Sequence, residues 1–150
     1  MTYQDVPQNR LLASLPRADY DRLKPHVEPV ELPYRRVLYR ANRAIEFVYF
    51  FETGVGSLVS SLRNGDTSEV GTIGNEGIVG VPVVLGDKRA PTSVYVQVPG
   101  VGLRMRSEEL VSQMNESTRL RAFMHFLIRL PSRSPALIII RSSSVAVVGS

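Results

Sequence analysis

From Val27 onward, apolar residues come in short clusters set apart by Pro, Asn and Gly. Val30-Glu31-Leu32, Val37-Leu38-Tyr39 and Phe47-Val48-Tyr49-Phe50-Phe51 are runs of strand length, rich in β-branched and aromatic residues. Val55 to Leu62 follows, with Val55, Leu58, Val59 and Leu62 in imperfect alternation. Arg63-Asn64-Gly65-Asp66 then carries the strongest local turn signal. Asn-Gly can take positive φ at both centres of a type I′ turn, which suits the twist of paired strands. Thr67 to Ile73 is therefore expected to pair antiparallel with residues 55–62. Residues 92–98 and 101–106 read as a further hairpin joined by Pro99-Gly100. Seven or eight short strands with tight turns predict a mainly β fold with flanking helices, a jelly roll or small barrel.

Helical spacing brackets these strands. Leu11, Leu12 and Leu15 share one face, and Pro16 then opens a second short helix carrying Tyr20 and Leu23, which Pro25 ends. Near the other end, Ser107 reads as an N-cap, followed by Glu108-Glu109 where a helix dipole favours negative charge. Ser117 reads as a second N-cap, opening a helix with Leu120, Phe123, Met124, Leu127 and Ile128 on one stripe. That stripe is wide enough to meet a copy of itself. Pro131 stops it, and Pro131-Ser132-Arg133-Ser134-Pro135 has the composition of a linker. Beyond it lie two apolar runs, Leu137 to Ile140 and Val145 to Val148. The expected organisation is one domain over residues 1–130 and an atypical tail over 131–150.

Composition narrows the chemistry. Cysteine is absent, which excludes disulfides and thiolate metal sites. No apolar run has the length to span a bilayer and no leader-like segment opens the chain, so a cytoplasmic location is expected. The formal net charge is +4, but the positive residues fall singly apart from Arg35-Arg36, Lys88-Arg89 and Arg104/Arg106. This reads as a solvated basic surface, since nucleic-acid faces cluster their Lys and Arg. A metal-dependent jelly-roll enzyme needs closely spaced His with a carboxylate, and the only histidines are His26 and His125. No Gly-x-Ser-x-Gly elbow occurs, and no catalysis is expected.

The candidate site lies between residues 71 and 98. Gly74-Asn75-Glu76-Gly77-Ile78-Val79-Gly80 reads as a backbone turn leading into a short helical turn. Glycines allow positive φ, and consecutive exposed amides suit an anion, although the same spacing also serves plain turns. The candidate donors are the backbone amides of Gly77, Ile78, Val79 and Gly80, with the hydroxyls of Thr92 and Ser93, and Arg89 upstream of them. The expectation is that residues 74–80 fold against the start of 92–98 around one cavity.

In order and wording the chain resembles the sensor domain of Crp/Fnr-type bacterial transcription regulators. Asn9-Arg10-Leu11-Leu12-Ala13, Val30-Glu31-Leu32, Val37-Leu38-Tyr39, Val48-Tyr49-Phe50, Gly54-Val55 and Gly74 to Gly80 carry the likeness, which covers roughly residues 9 to 126. It implies a double-stranded β-helix of the cyclic-nucleotide-binding-like type and a phosphate-binding cassette. In ligand-binding members a Gly-Glu pair holds the ribose and an Arg-Ser/Thr pair holds the phosphate. Here the first pair falls near Val79-Gly80-Val81 without a carboxylate, and the next strand opens on Thr92-Ser93 without the Arg. Each hydrogen bond to a charged group is worth about 1.5–3 kcal/mol, and about 1.4 kcal/mol is tenfold in affinity. Losing both contacts predicts roughly a hundred- to ten-thousand-fold weaker cyclic nucleotide binding on those figures. The ligand class is a cyclic nucleotide or another small phosphate-containing effector, bound weakly or not at all.

The resemblance also implies a homodimer, through Leu120, Phe123, Met124 and Leu127. A helix-turn-helix needs two helices around a short turn, and nothing after Pro131 provides them. DNA is a partner only if such a motif is supplied elsewhere, and the chain reads as a truncated or frame-altered regulator. The competing reading is a ligand-independent dimerisation module.

Overall fold

The computed structural model describes residues 7–130. The expectations for residues 131–150 lie outside the described residues. Short helices α1 (Arg10–Ala13) and α2 (Arg17–Leu23) come first, followed by a 3₁₀ turn, Lys24–His26, that contains Pro25. Seven strands make the body: β1 Glu28–Leu32, β2 Val37–Tyr39, β3 Phe47–Phe51, β4 Val55–Ser61, β5 Thr67–Ile73, β6 Thr92–Val98 and β7 Gly100–Arg106. A one-turn helix, α3 (Val81–Val84), separates β5 from β6, and α4 (Ser107–Glu116) and α5 (Thr118–Arg129) close the described chain.

All pairing is antiparallel, in two sheets of order β1-β7-β3 and β2-β6-β4-β5. The fold is mainly β with flanking helices, the jelly roll expected from the strand pattern. An isolated bridge between Tyr49 and Val79 stands where an eighth strand would be. Residues from both sheets share one core, with Leu32, Phe50, Leu103 and Met105 from the first and Leu58, Ile73, Val94 and Val96 from the second.

Three local expectations need correction. Residues 92–98 and 101–106 do not form a hairpin: β6 pairs with β2 and β4, and β7 with β1 and β3. Pro99-Gly100 is the point where the chain crosses between sheets. Gly100 lies so close under β3's exit that a Cβ there would come within 2.2 Å of the Thr53 carbonyl oxygen. The turn after β4 is not type I′, because Gly65 alone takes positive φ (90°). Gly65 N–H donates to the Leu62 carbonyl at 3.0 Å, and the Asn64 side chain accepts from Asp66 N–H at 3.0 Å. A type I turn closed by a left-handed glycine uses one residue more and fits the same strands. Ser107 does not cap α4 but is its first residue, and its buried hydroxyl has no hydrogen-bond partner among the described residues. Ser117 does cap α5, accepting from Leu120 N–H at 3.1 Å.

Candidate functional site

Asn9 organises the first half of the site. It is fully buried and caps α1 by accepting from Leu12 N–H at 3.1 Å. Its amide group donates to the Phe51 carbonyl (2.9 Å) and the Gly77 carbonyl (3.0 Å). Next to it, Arg10 N–H donates to the Asn75 carbonyl at 2.7 Å. One side chain and its neighbour thus tie α1 to the end of β3 and to the 74–80 turn. Glu52 is also buried here and accepts from Gln8 N–H at 2.6 Å. Burial pushes its carboxyl above the usual value, and the backbone N–H groups of Gln8 and Asn9 partly offset that.

The segment from Gly77 to Gly80 packs inward. Ile78 and Val79 are wholly buried, and Val79 exchanges both backbone hydrogen bonds with Tyr49, at 2.8 and 3.0 Å. The Val79 amide is therefore committed to β3, which leaves Gly77, Ile78 and Gly80 among the expected anion donors. Gly80 takes φ +118°, and a Cβ there would lie 2.7 Å from Val48 Cγ1. Glycine is required on both counts. It launches α3, whose Val81, Val83 and Val84 all turn into the core. Where the resemblance implies a ribose-holding carboxylate, the structure buries Val81. The nearby Glu76 carboxylate instead accepts from Gly74 N–H at 3.1 Å, within the turn.

The second half opens β6. Thr92 and Ser93 pair with Ser60 and Val59 of β4. The Ser93 hydroxyl is engaged as acceptor of Ala41 N–H at 2.8 Å. Thr92 is the polar neighbour of the Tyr39 phenol, which makes no well-formed hydrogen bond. Burial pushes that phenol up to about 12, and Thr92 works in the opposite direction. Arg89 is exposed on the loop before β6. Thus the fold attaches residues 77–80 to β3 and residues 92–93 to β2 and β4, which belong to different sheets.

A separate hollow of about 380 Å³ lies beside the start of α4. Ala44, Ile45, Val83 and Val111 wall it, and the Arg106–Glu46 pair, 3.7 Å apart, stands at its rim. No residue spacing announces it, because its walls come from three separate parts of the chain, residues 44–46, 83–88 and 106–111.

On α5 the stripe divides. Leu120, Met124 and Ile128 are fully buried in the domain's own core, and Phe123 and Leu127 pack half-buried against it. Leu120 and Met124 are thus unavailable to a partner helix, a correction to the expected contact set. Phe126 (58% exposed) and Leu130 (40%) present the outward apolar surface instead. Asp19, buried on α2, holds the helix from behind by accepting from Arg119 Nε at 3.2 Å. Among the described residues no His, Asp and Glu side chains converge as a metal site, and no helix is long and apolar enough to cross a membrane.

The profile of the cyclic nucleotide-binding domain family matches residues 29–117, from β1 to the end of α4. The chain belongs to that family. Comparison with curated protein sequences found no match. Among solved structures, the N-terminal domain of a transcriptional regulator from Streptomyces coelicolor superimposes with a TM-score of 0.64 at 15% identity, covering 97% of this chain and 99% of that one. The sensor domain of the transcriptional regulator DNR from Pseudomonas aeruginosa gives 0.65 at 13% identity, over 99% and 95% of the two chains. A cyclic nucleotide-binding domain from Methylobacillus flagellatus gives 0.65 at 12% identity, over 92% and 74%. At these identities the likeness establishes a shared fold. The fold that the resemblance implied is the fold of these domains.

A cyclic nucleotide-binding domain must hold a ribose and a cyclic phosphate. Two of the groups that the resemblance implies for that task are missing here. In α3, Val-Pro-Val-Val offers no carboxylate, Pro91 precedes Thr92 at the strand opening, and the Val79 amide is already bonded to β3, whereas the Ser93 hydroxyl accepts from Ala41 N–H and keeps its own O–H to donate.

Proposed function

We propose that this chain is the sensor and dimerisation domain of a Crp/Fnr-like transcription regulator that binds a small anionic effector weakly or not at all. It acts in the cytoplasm without enzymatic activity, and sequence-specific DNA reading falls to a helix-turn-helix supplied elsewhere. The observation that carries the weak-binding reading is Val81, buried at the head of α3 where a ribose partner is required. An anion that does enter meets the amides of Gly77, Ile78 and Gly80, the Thr92 and Ser93 hydroxyls, and Arg89 from the loop. Titration of the full chain with cyclic AMP and phosphorylated metabolites, followed by thermal shift, tests this. No saturating shift with millimolar cyclic AMP is expected, and a midpoint in the micromolar range would sink the reading.

The second reading, a dimerisation module indifferent to ligand, is favoured by one feature of α5. Its Leu120, Met124 and Ile128 anchors are buried in the domain core, so the helix is held without any effector. A ligand shifts only an equilibrium between states it binds unequally. Saturating thermal shift with one of the metabolites, coupled to a change in sedimentation, separates sensing from the module.

A further inference from the structure

Read in order, the basic residues look scattered, but folding collects four of them. The loop between β2 and β3 is stitched to the loop between α3 and β6. Asn42 N–H donates to the Ala90 carbonyl at 2.7 Å, Ile45 N–H to the Lys88 carbonyl at 2.9 Å, and Ala41 N–H to Ser93 Oγ at 2.8 Å. Asn42 takes φ 63°, a left-handed turn that asparagine tolerates, within this stitched loop. Arg40 and Arg43 on one loop and Lys88 and Arg89 on the other are all exposed. None of the four makes an ion pair with a described residue. Of the nearby acids, Glu46 is paired with Arg106, which leaves Asp87 and Glu108 against four cations.

Like charges held on touching loops repel, and no ion pair with a described residue neutralises them. Small-ligand sites are concave and enclose their ligand, whereas these four cations are exposed on two loops. The adjacent hollow is walled by apolar side chains and carries Glu46, Asp87 and Glu108 beside Lys88 and Arg106, which disfavours an anion there. Exposed, unpaired cations spread over two loops match an extended polyanion. Three of the four are arginines, whose planar forks meet phosphate oxygens in pairs. We infer that the 40–45 and 86–91 loops form a contact surface for the phosphate backbone of duplex DNA, engaged by charge and without reading bases. This surface shares Arg89 with the proposed effector site, while Arg40, Arg43 and Lys88 lie outside that site.

Fluorescence anisotropy of the full chain against a labelled duplex of arbitrary sequence tests the inference. Four neutralised phosphates give a log–log salt slope of about −3.6, roughly a hundredfold loss of affinity between 50 and 200 mM salt. The Arg43→Gln/Arg89→Gln double variant should lower the slope to about −2 and weaken binding at 50 mM salt by at least about tenfold. The Arg63→Gln/Arg121→Gln variant removes the same charge elsewhere and should leave both quantities unchanged. All four positions are exposed, and circular dichroism checks that each variant is folded. Four outcomes would overturn the inference: no binding at 50 mM salt, equal loss in both double variants, displacement of the duplex by millimolar cyclic AMP, or equal affinity for poly-glutamate. The third would assign these cations to the effector site and the fourth to an acidic protein partner.

Discussion

Asn9 shows how much one polar side chain can carry when it is buried. It caps a helix and donates to two carbonyls from segments 42 and 68 residues away. Asn9→Ala should cost about 2–5 kcal/mol in urea unfolding, about 1 for the lost cap and the rest for carbonyls left without a donor. Asn9→Asp restores the cap acceptor but not the donors, so it should recover only a minor part. Glu52 poses a different question, one of protonation. Its carboxyl is raised by burial, so its stabilising contribution is fully present below the ordinary carboxylate range. That contribution fades as pH rises through the folded value. Glu52→Gln keeps an acceptor for Gln8 N–H and removes the charge. Wild type should therefore lose stability relative to Glu52→Gln as pH climbs from about 4 to neutrality, a trend that urea midpoints measured across pH would show. An opposite trend would mean that the carboxylate is favoured by the fold.

Among the elements, α5 was the most legible in spacing and the least legible in partnership. Its apolar stripe identifies a helix correctly, but periodicity does not say whether a face meets its own domain or another. Leu120 and Met124 face inward because α4 and α3 pack against α5, and neither neighbour is apparent from residues 117–130 alone. Leu120→Ala should destabilise the fold by about 2–5 kcal/mol, as for other large-to-small core changes. Phe126→Asp should leave unfolding nearly unchanged and lower the sedimentation-measured association of the chain. If Phe126→Asp unfolds the domain while association persists, the outward assignment of that face fails. The β6–β7 junction has the same moral. Pro-Gly between two apolar runs reads as a hairpin, yet Gly100 slips beneath the Thr53 carbonyl and carries the chain into the other sheet. Local turn chemistry does not distinguish a reversal from a crossing.

Across the domain, the strand positions, the flanking helices and the jelly-roll class follow from residue order, whereas the helical turn read within residues 74–80 stands instead at Val81–Val84. Period-two clusters, turn residues and caps act over a few positions, and they agree with one another here. The absence of a ribose-holding carboxylate was equally visible, since Val81 stands where the resemblance requires an acid. Three things depended on the folded chain. The Val79 amide proved to be occupied because β3 runs beside it, through contacts thirty residues apart in sequence. Half of the expected dimer stripe proved to be core. The loop that carries Arg40 and Arg43 came to lie against the loop that carries Lys88 and Arg89, held there by backbone hydrogen bonds. Each is a matter of which distant segment lies alongside, and that is settled by the packing of two sheets around a common core rather than by any short-range preference.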